Sequence, residues 1–358
     1  MRLNFQFNQL RGRQYSLDER RQLQHTIWLC LFSDLSCIYS AGCVLELAID
    51  KAIMNQKQHP IIWYGPLFIA LAAALWALDG ITRRSLYHLS PIIIVFYEHL
   101  IGALLLAPFV PAILKNQKLT KKVFAIGFVV ALFGGLLGTL WITTALASVH
   151  FISFSVVFLI QKLQPLFTIT SAALLLGEKV SSKYLKWAAL AIVAVFFVTF
   201  PNGNVNLATG QGTLIAALFS FGAAAVWGIG TTFSKLLLNE VSEKAGIVLR
   251  YYGATVLAFM AIFVLGKSDQ IITVAPTEIG RLIFIAFTTG LAAMYLYYKG
   301  LKVTQAKVAT IMELTFPLLA VFVDMFLYKT FLAPTQYLAA GVLLFAMYRV
   351  SKIQKALG

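Results

Sequence analysis

Acidic side chains are scarce in this chain. Its 358 residues include 14 Asp and Glu against 29 Lys and Arg, and charged residues together make up only 12%. Soluble domains carry about 25%. With 59% hydrophobic residues and a mean hydropathy of +0.81, most of the chain has lipid for its solvent. Cysteine is scarcer still: Cys30, Cys37 and Cys43, spaced 7 and 6 apart, with none after residue 43. That is neither a zinc nor a CxxC spacing, and the rest of the chain needs no disulfide. Enzyme motifs are missing too. There is no HExxH, GxSxG or Cys/His cluster, and the "GKS" at 266–268 has Ala261 where a phosphate loop needs glycine. The chain reads as a non-enzyme with no cofactor and no metal.

What is present is a series of long apolar runs. Pro, Gly and Lys divide the chain into ten expected membrane spans: 62–82, 91–111, 123–146, 150–176, 184–201, 212–234, 245–266, 280–298, 306–328 and 334–350. Ten spans put both ends of the core on one side. With that side cytoplasmic, fifteen Lys and Arg fall in the inner connections and C-terminal tail, and five in the outer ones (Arg83, Arg84, Lys267, Arg281, Lys329). This is a positive-inside pattern. The net charge of +15 is therefore a topology signal and a contact with anionic headgroups, with no nucleic-acid partner.

Residues 1–61 differ in kind. Five arginines precede residue 22, and the apolar stretch 26–49 is interrupted by Asp34 and Glu46. It resembles neither a span nor a signal peptide. It reads as a cytoplasmic tail or an upstream misassigned start, with Met54 as an alternative start. The core divides into repeats 62–201 and 202–350, followed by a tail at 351–358.

The two repeats echo each other. "AAALWALDGITRRSL" (72–86) resembles "AAAVWGIGTTFSKLL" (223–237), setting Trp76 over Trp227. "LIQKLQPLF" (159–167) matches "IMELTFPLL" (311–319), setting Pro165 over Pro317. Five spans per repeat make the second half inverted, an architecture of secondary transporters with a midplane site at the repeat interface. Each proline removes an N–H and frees the carbonyl four residues back, on Gln161 and on Glu313. Such backbone is tolerated at membrane depth when it is buried in protein or lines a wet cavity. The plain alternative is a pair of packing kinks.

Taken together, "LWALDG", "SPIIIVFYEHLIGALLLAP", "TTALASVHFISFSVVFLIQKLQPLFTITSAALLLGEKVS" and their second-half counterparts resemble the drug/metabolite transporter superfamily, in particular EamA-type permeases, over about residues 62–350. The resemblance implies an all-α bundle of ten helices in two inverted five-helix repeats. It also implies a plasma-membrane carrier of small metabolites, often an exporter, with cytoplasmic termini and no ATP requirement. Two positions depart from the family pattern. Glu98-His99 stands where many relatives carry Arg, which the second half keeps as Arg250. Tyr328-Lys329 stands opposite Gly177-Glu178.

Glu98, Lys162, Arg250 and Glu313 lie well inside spans, where a charge costs about 2.5–3.5 kcal/mol and marks a pathway. The competing reading is a pair of buried ion pairs that fixes helix packing. Lys162 is expected to bind an anionic group or to neutralise Glu313, with Arg250 as a rival partner. Gln161, Gln164, His99 and Tyr251 complete the polar set, and Trp76 and Trp227 are candidate stacking faces. Tyr295, Tyr297 and Tyr298 read first as packing or interface anchors. Asp79 and Asp324 read as rim or capping residues, Glu178 as a cap or interhelical contact, and "GGLLG" (134–138) as close helix packing.

These readings converge on a secondary-active transporter, expected to be an exporter, of a small metabolite through the plasma membrane, working as a monomer or homodimer. A lipid or lipid-linked metabolite flippase is the nearer alternative. A receptor or scaffold is disfavoured by the short connections.

Overall fold

The computed structural model describes residues 64–148, 160–204, 212–316 and 333–355, with isolated positions 318, 319, 322, 326 and 331. The tail with its three cysteines, the segment 149–159, Pro317, Asp324, Tyr328 and Lys329 lie outside the described residues, as does the side chain of Asp79.

Among the described residues there are helices and no strands. Span 1 is α1 (Gly65–Arg84) and span 2 is α2 (Pro91–Leu106), extended by a 3₁₀ turn and α3 (Val110–Leu114). Span 3 runs as α4 (Lys121–Val130), a π-helical segment (Ala131–Leu137) and α5 (Gly138–Ser148). Span 4 contributes α6 (Gln164–Leu175) and span 5 is α7 (Ser182–Thr199). In the second half, α8 (Gly212–Glu240) and α9 (Glu243–Val264) are spans 6 and 7. Span 8 runs as α10 (Pro276–Ile285), a second π segment (Ala286–Ala292) and α11 (Ala293–Lys302). Span 9 opens with α12 (Ala306–Met312), and span 10 is α13 (Pro334–Lys355). Five of these stretches are long and apolar enough to cross a membrane, and the α1 and α6 regions add shorter apolar helices.

Local chemistry sets the helix starts. Proline occupies the first turn of α2 and α10, where its missing N–H has no helical partner to lose. Side-chain oxygens of Thr120, Ser181 and Ser242 accept from the N–H of Val123, Tyr184 and Ala245. The helices show apolar side chains outwards, such as Leu104, Phe128, Leu174 and Val264, as a lipid-facing surface would.

The repeat is visible in the backbone. Each half carries a seven-residue π segment in its third span, beginning at Ala131 and at Ala286. The halves interlock: α1 packs on α11 and α8 packs on α5, so the first span of each half lies against the third span of the other. α2 packs on α9, and α7 on α13. Alanines face one another in that last pair, with Ala188 and Ala191 in the same buried cluster as Ala339, Ala340 and Ala346.

The lysine-rich end of the bundle is closed by a cap. Gly177, at φ 63°, ends α6 in a left-handed turn that suits glycine. Glu178 follows and accepts from the backbone N–H of Ala306 (2.7 Å) and Lys307 (3.1 Å) at the start of α12. Lys307, 1% exposed, donates its ammonium to the Lys179 carbonyl, and the Tyr184 hydroxyl donates to the Lys307 carbonyl at 2.6 Å. Burial raises the Glu178 carboxyl above the usual range, opposed by the two N–H groups and by Lys307 and Lys235. A first-half loop is thus tied to a second-half helix.

Candidate functional site

Spans 4 and 9 break at matching places. Pro165 sits in the first turn of α6, preceded by a turn at Lys162-Leu163 in which Leu163 N–H donates to the Ile160 carbonyl at 3.0 Å. α12 stops at Met312 and the chain turns through Glu313-Leu314. The expected kink with an unpaired Glu313 carbonyl is therefore corrected. Phe316 N–H donates to that carbonyl at 3.0 Å, because an interrupted helix offers it a donor three residues on. Discontinuous helices of this kind form the midplane sites of inverted-repeat transporters.

The two breaks bring polar side chains together. Gln164 Nε2 donates to Glu313 Oε2 at 2.7 Å, and Tyr297 Oη donates to Glu313 Oε1 at 2.8 Å. Thr231 and Tyr297 share a further hydroxyl–hydroxyl bond at 3.0 Å. The expected Lys162–Glu313 ion pair is not among the ion pairs of the described residues. Two neutral donors occupy the carboxylate oxygens instead. Lys162 is 7% exposed, with its ammonium 5.8 Å from the Phe316 ring centroid.

Arg250 does not pair with Glu313 either. Its Nη2 donates to the Gly134 carbonyl, inside the first π segment, at 2.6 Å. Glu98, the matching position in the first half, pairs with Arg83 at 2.9 Å. Arg83 was counted among the outer topology charges, yet its side chain is only 9% exposed. His99 Nδ1–H donates to the Val95 carbonyl at 2.9 Å, and its ring lies 5.3 Å from that of Tyr251, its counterpart.

The two tryptophans make matching, crossed bonds. Trp76 Nε1–H donates to the Thr289 carbonyl at 3.0 Å, and Trp227 Nε1–H donates to the Gly134 carbonyl at 3.3 Å. Both acceptors lie in π segments of the opposite half. The "GGLLG" glycines make this approach feasible: a Cβ on Gly138 would run into the Trp227 indole, and one on Gly134 into the Arg250 guanidinium.

A cavity of about 250 Å³ lies between the halves. Trp76, Glu98, His99, Gln161, Lys162, Gln164, Pro165, Trp227, Arg250, Tyr251 and Glu313 all belong to its wall. The lining reaches Tyr87 and Leu146 towards the lysine-poor end, and Ser234 and Tyr297 towards the other. The sequence reading missed Arg83, Thr231, Tyr297 and Thr310 as wall residues. For Tyr297 the signal was its place in the span that faces Trp76, whose ring centroid is 5.2 Å away.

Three comparisons bear on this geometry. A solved crystal structure of a protein matches with a TM-score of 0.64 over 81% of this chain and 98% of that one, at 14% identity, and so supports the fold. The riboflavin transporter ImpX of Fusobacterium nucleatum subsp. nucleatum (strain ATCC 23726 / VPI 4351) is 37% identical over 295 residues, covering 81% of this chain and 98% of that protein. The model of the EamA-like transporter family matches twice, at residues 63–200 and 214–351. With two matching repeats, broken spans at equal positions and a cavity between them, the chain belongs to the EamA-like transporter family and is a membrane transporter, not an enzyme.

Proposed function

We propose that this protein is a secondary-active carrier of a flavin, riboflavin or a close analogue, across the plasma membrane by alternating access. One observation carries the reading: the ionisable and aromatic residues placed inside spans line a single cavity at the interface of the repeats, in a chain similar to a riboflavin transporter. Trp76, Trp227, Tyr297 and Phe316 give that wall aromatic surface for a planar ring system, and the polar groups suit a polyhydroxylated chain. The positive-inside count supports cytoplasmic termini. In that orientation the cavity lining reaches outwards and the Glu178 cap holds the inner end, an arrangement that releases an exported substrate or loads an imported one. Export, the expectation from family resemblance, then requires the cap to open for loading. Replacing the Glu178 contacts by others at the opposite end constitutes the access switch, since packed interfaces change between discrete arrangements.

The test is flux in proteoliposomes made from the full chain. Labelled riboflavin should move saturably, and excess unlabelled riboflavin should compete. Flux equal to that of empty liposomes refutes the flavin reading, and scrambling of a lipid-linked sugar in the same vesicles would establish the flippase alternative.

A further inference from the structure

Among the buried polar atoms of the cavity wall that have no hydrogen-bond partner are Gln161 Oε1, Thr310 Oγ1 and Arg250 Nε. Thr310 as a whole is 1% exposed. Unsatisfied buried polar atoms are costly, and most are paired in native structures. Here their immediate neighbours are all satisfied. Gln164, one helical turn from Gln161, is held by Glu313; Glu313, one turn from Thr310, is held by Gln164 and Tyr297; and Arg250 is clamped through Nη2 to Gly134. The satisfied groups fix the orphaned ones in place, which is what a preorganised recognition edge requires.

We propose that Gln161, Thr310 and Arg250 form a reading edge completed by the substrate's own carbonyl and N–H groups, so that the cavity selects heterocycles with an amide or imide edge. The proposal rests on the flavin reading and specifies which part of the molecule is recognised. An amide oxygen accepts, a guanidinium N–H donates and a threonine hydroxyl does either. Their complement is an N–H beside carbonyl oxygens, the pattern along the pyrimidine edge of the isoalloxazine ring.

The test is equilibrium binding to purified full-length protein, read by quenching of ligand fluorescence. The probes are riboflavin and N3-methylriboflavin. Wild-type protein should bind riboflavin at least tenfold more tightly than N3-methylriboflavin, because methylation removes the N–H that Gln161 accepts. Gln161→Leu and the nearly isosteric Thr310→Val should each weaken riboflavin binding and shrink the tenfold preference to under threefold. Equal binding of the two flavins, or variants that keep the full preference, would overturn the proposal while leaving the flavin reading intact. No riboflavin binding by folded wild-type protein would refute the flavin reading and this proposal with it. The wild-type comparison stands even where a variant fails to fold.

Discussion

The two halves of this transporter share a backbone and differ in charge. Both carry a π segment in the third span, a break in the fourth and a tryptophan in the first that donates to the other half's π segment. At those shared positions the side chains diverge. Gln161 stands opposite Glu313, Lys162 opposite Leu314, Glu98 opposite Arg250 and His99 opposite Tyr251. In the alternating access proposed above, the symmetric backbone supplies two equivalent arrangements to exchange. The asymmetric side chains supply one polarity and one set of contacts for the proposed ligand. On that proposal symmetry serves the motion, and asymmetry serves recognition.

The largest expected effect separates Glu313 from its counterpart Gln161. Glu313→Ala leaves Gln164 and Tyr297 without their shared acceptor, and loss of a buried acceptor costs about 1–3 kcal/mol per stranded group. Transport should fall by about a hundredfold or more, with a clear drop in melting temperature. Gln161→Ala strands nothing, since its oxygen has no partner, and should leave the melting temperature unchanged. Equal destabilisation of the two variants would show that the halves are equivalent in chemistry as well as in backbone.

Next comes Lys162, whose counterpart is apolar. Lys162→Met keeps the stem and removes the charge. It should leave membrane expression near normal while reducing transport by about tenfold or more. Adding Glu313→Gln should bring no rescue, because Gln164 and Tyr297 hold the carboxylate. Rescue by the double variant would restore the direct ion pair.

The tryptophans predict a smaller, graded difference. Trp227→Phe leaves the Gly134 carbonyl still bound by Arg250, whereas Trp76→Phe removes the indole donor from Thr289 with no arginine at the matching place. Transport should drop more in Trp76→Phe, by about threefold to tenfold, against under about threefold for Trp227→Phe, in keeping with a net hydrogen-bond value of roughly 0.5–1.5 kcal/mol. The reverse order would remove Arg250 from its bracing role.

The smallest stability effect belongs to the cap. Glu178→Ala should cost about 0.5–2 kcal/mol, as loss of helix-capping contacts does, measured by thermal unfolding in detergent. An unchanged melting temperature would mean the cap does not hold the lysine-rich end.

Much of this was legible in the sequence, for physical reasons. Long apolar runs and lysine placement specify spans, and the matched prolines mark where helices cannot continue. Glu98, Lys162, Arg250 and Glu313, deep inside their spans, were readable as pathway residues because lipid would not tolerate them, and all four line the cavity. The π segments were not legible, since they add residues within a continuous apolar run and leave no punctuation. The partners of each charge were hidden as well. Pairing depends on which helices meet, so Glu98 found Arg83 and Arg250 found a backbone carbonyl.

Substrate protection tests the central claim most directly. Thr139 is half-buried in the cavity wall, and Leu104 is 62% exposed on the apolar outer surface. With Cys30, Cys37 and Cys43 replaced by serine, single cysteines at Thr139 and at Leu104 would each be treated with a small thiol reagent. The account predicts that saturating riboflavin slows modification at Thr139→Cys at least about tenfold and leaves Leu104→Cys unaffected. Equal rates at Thr139→Cys with and without riboflavin would contradict a flavin site between the two halves.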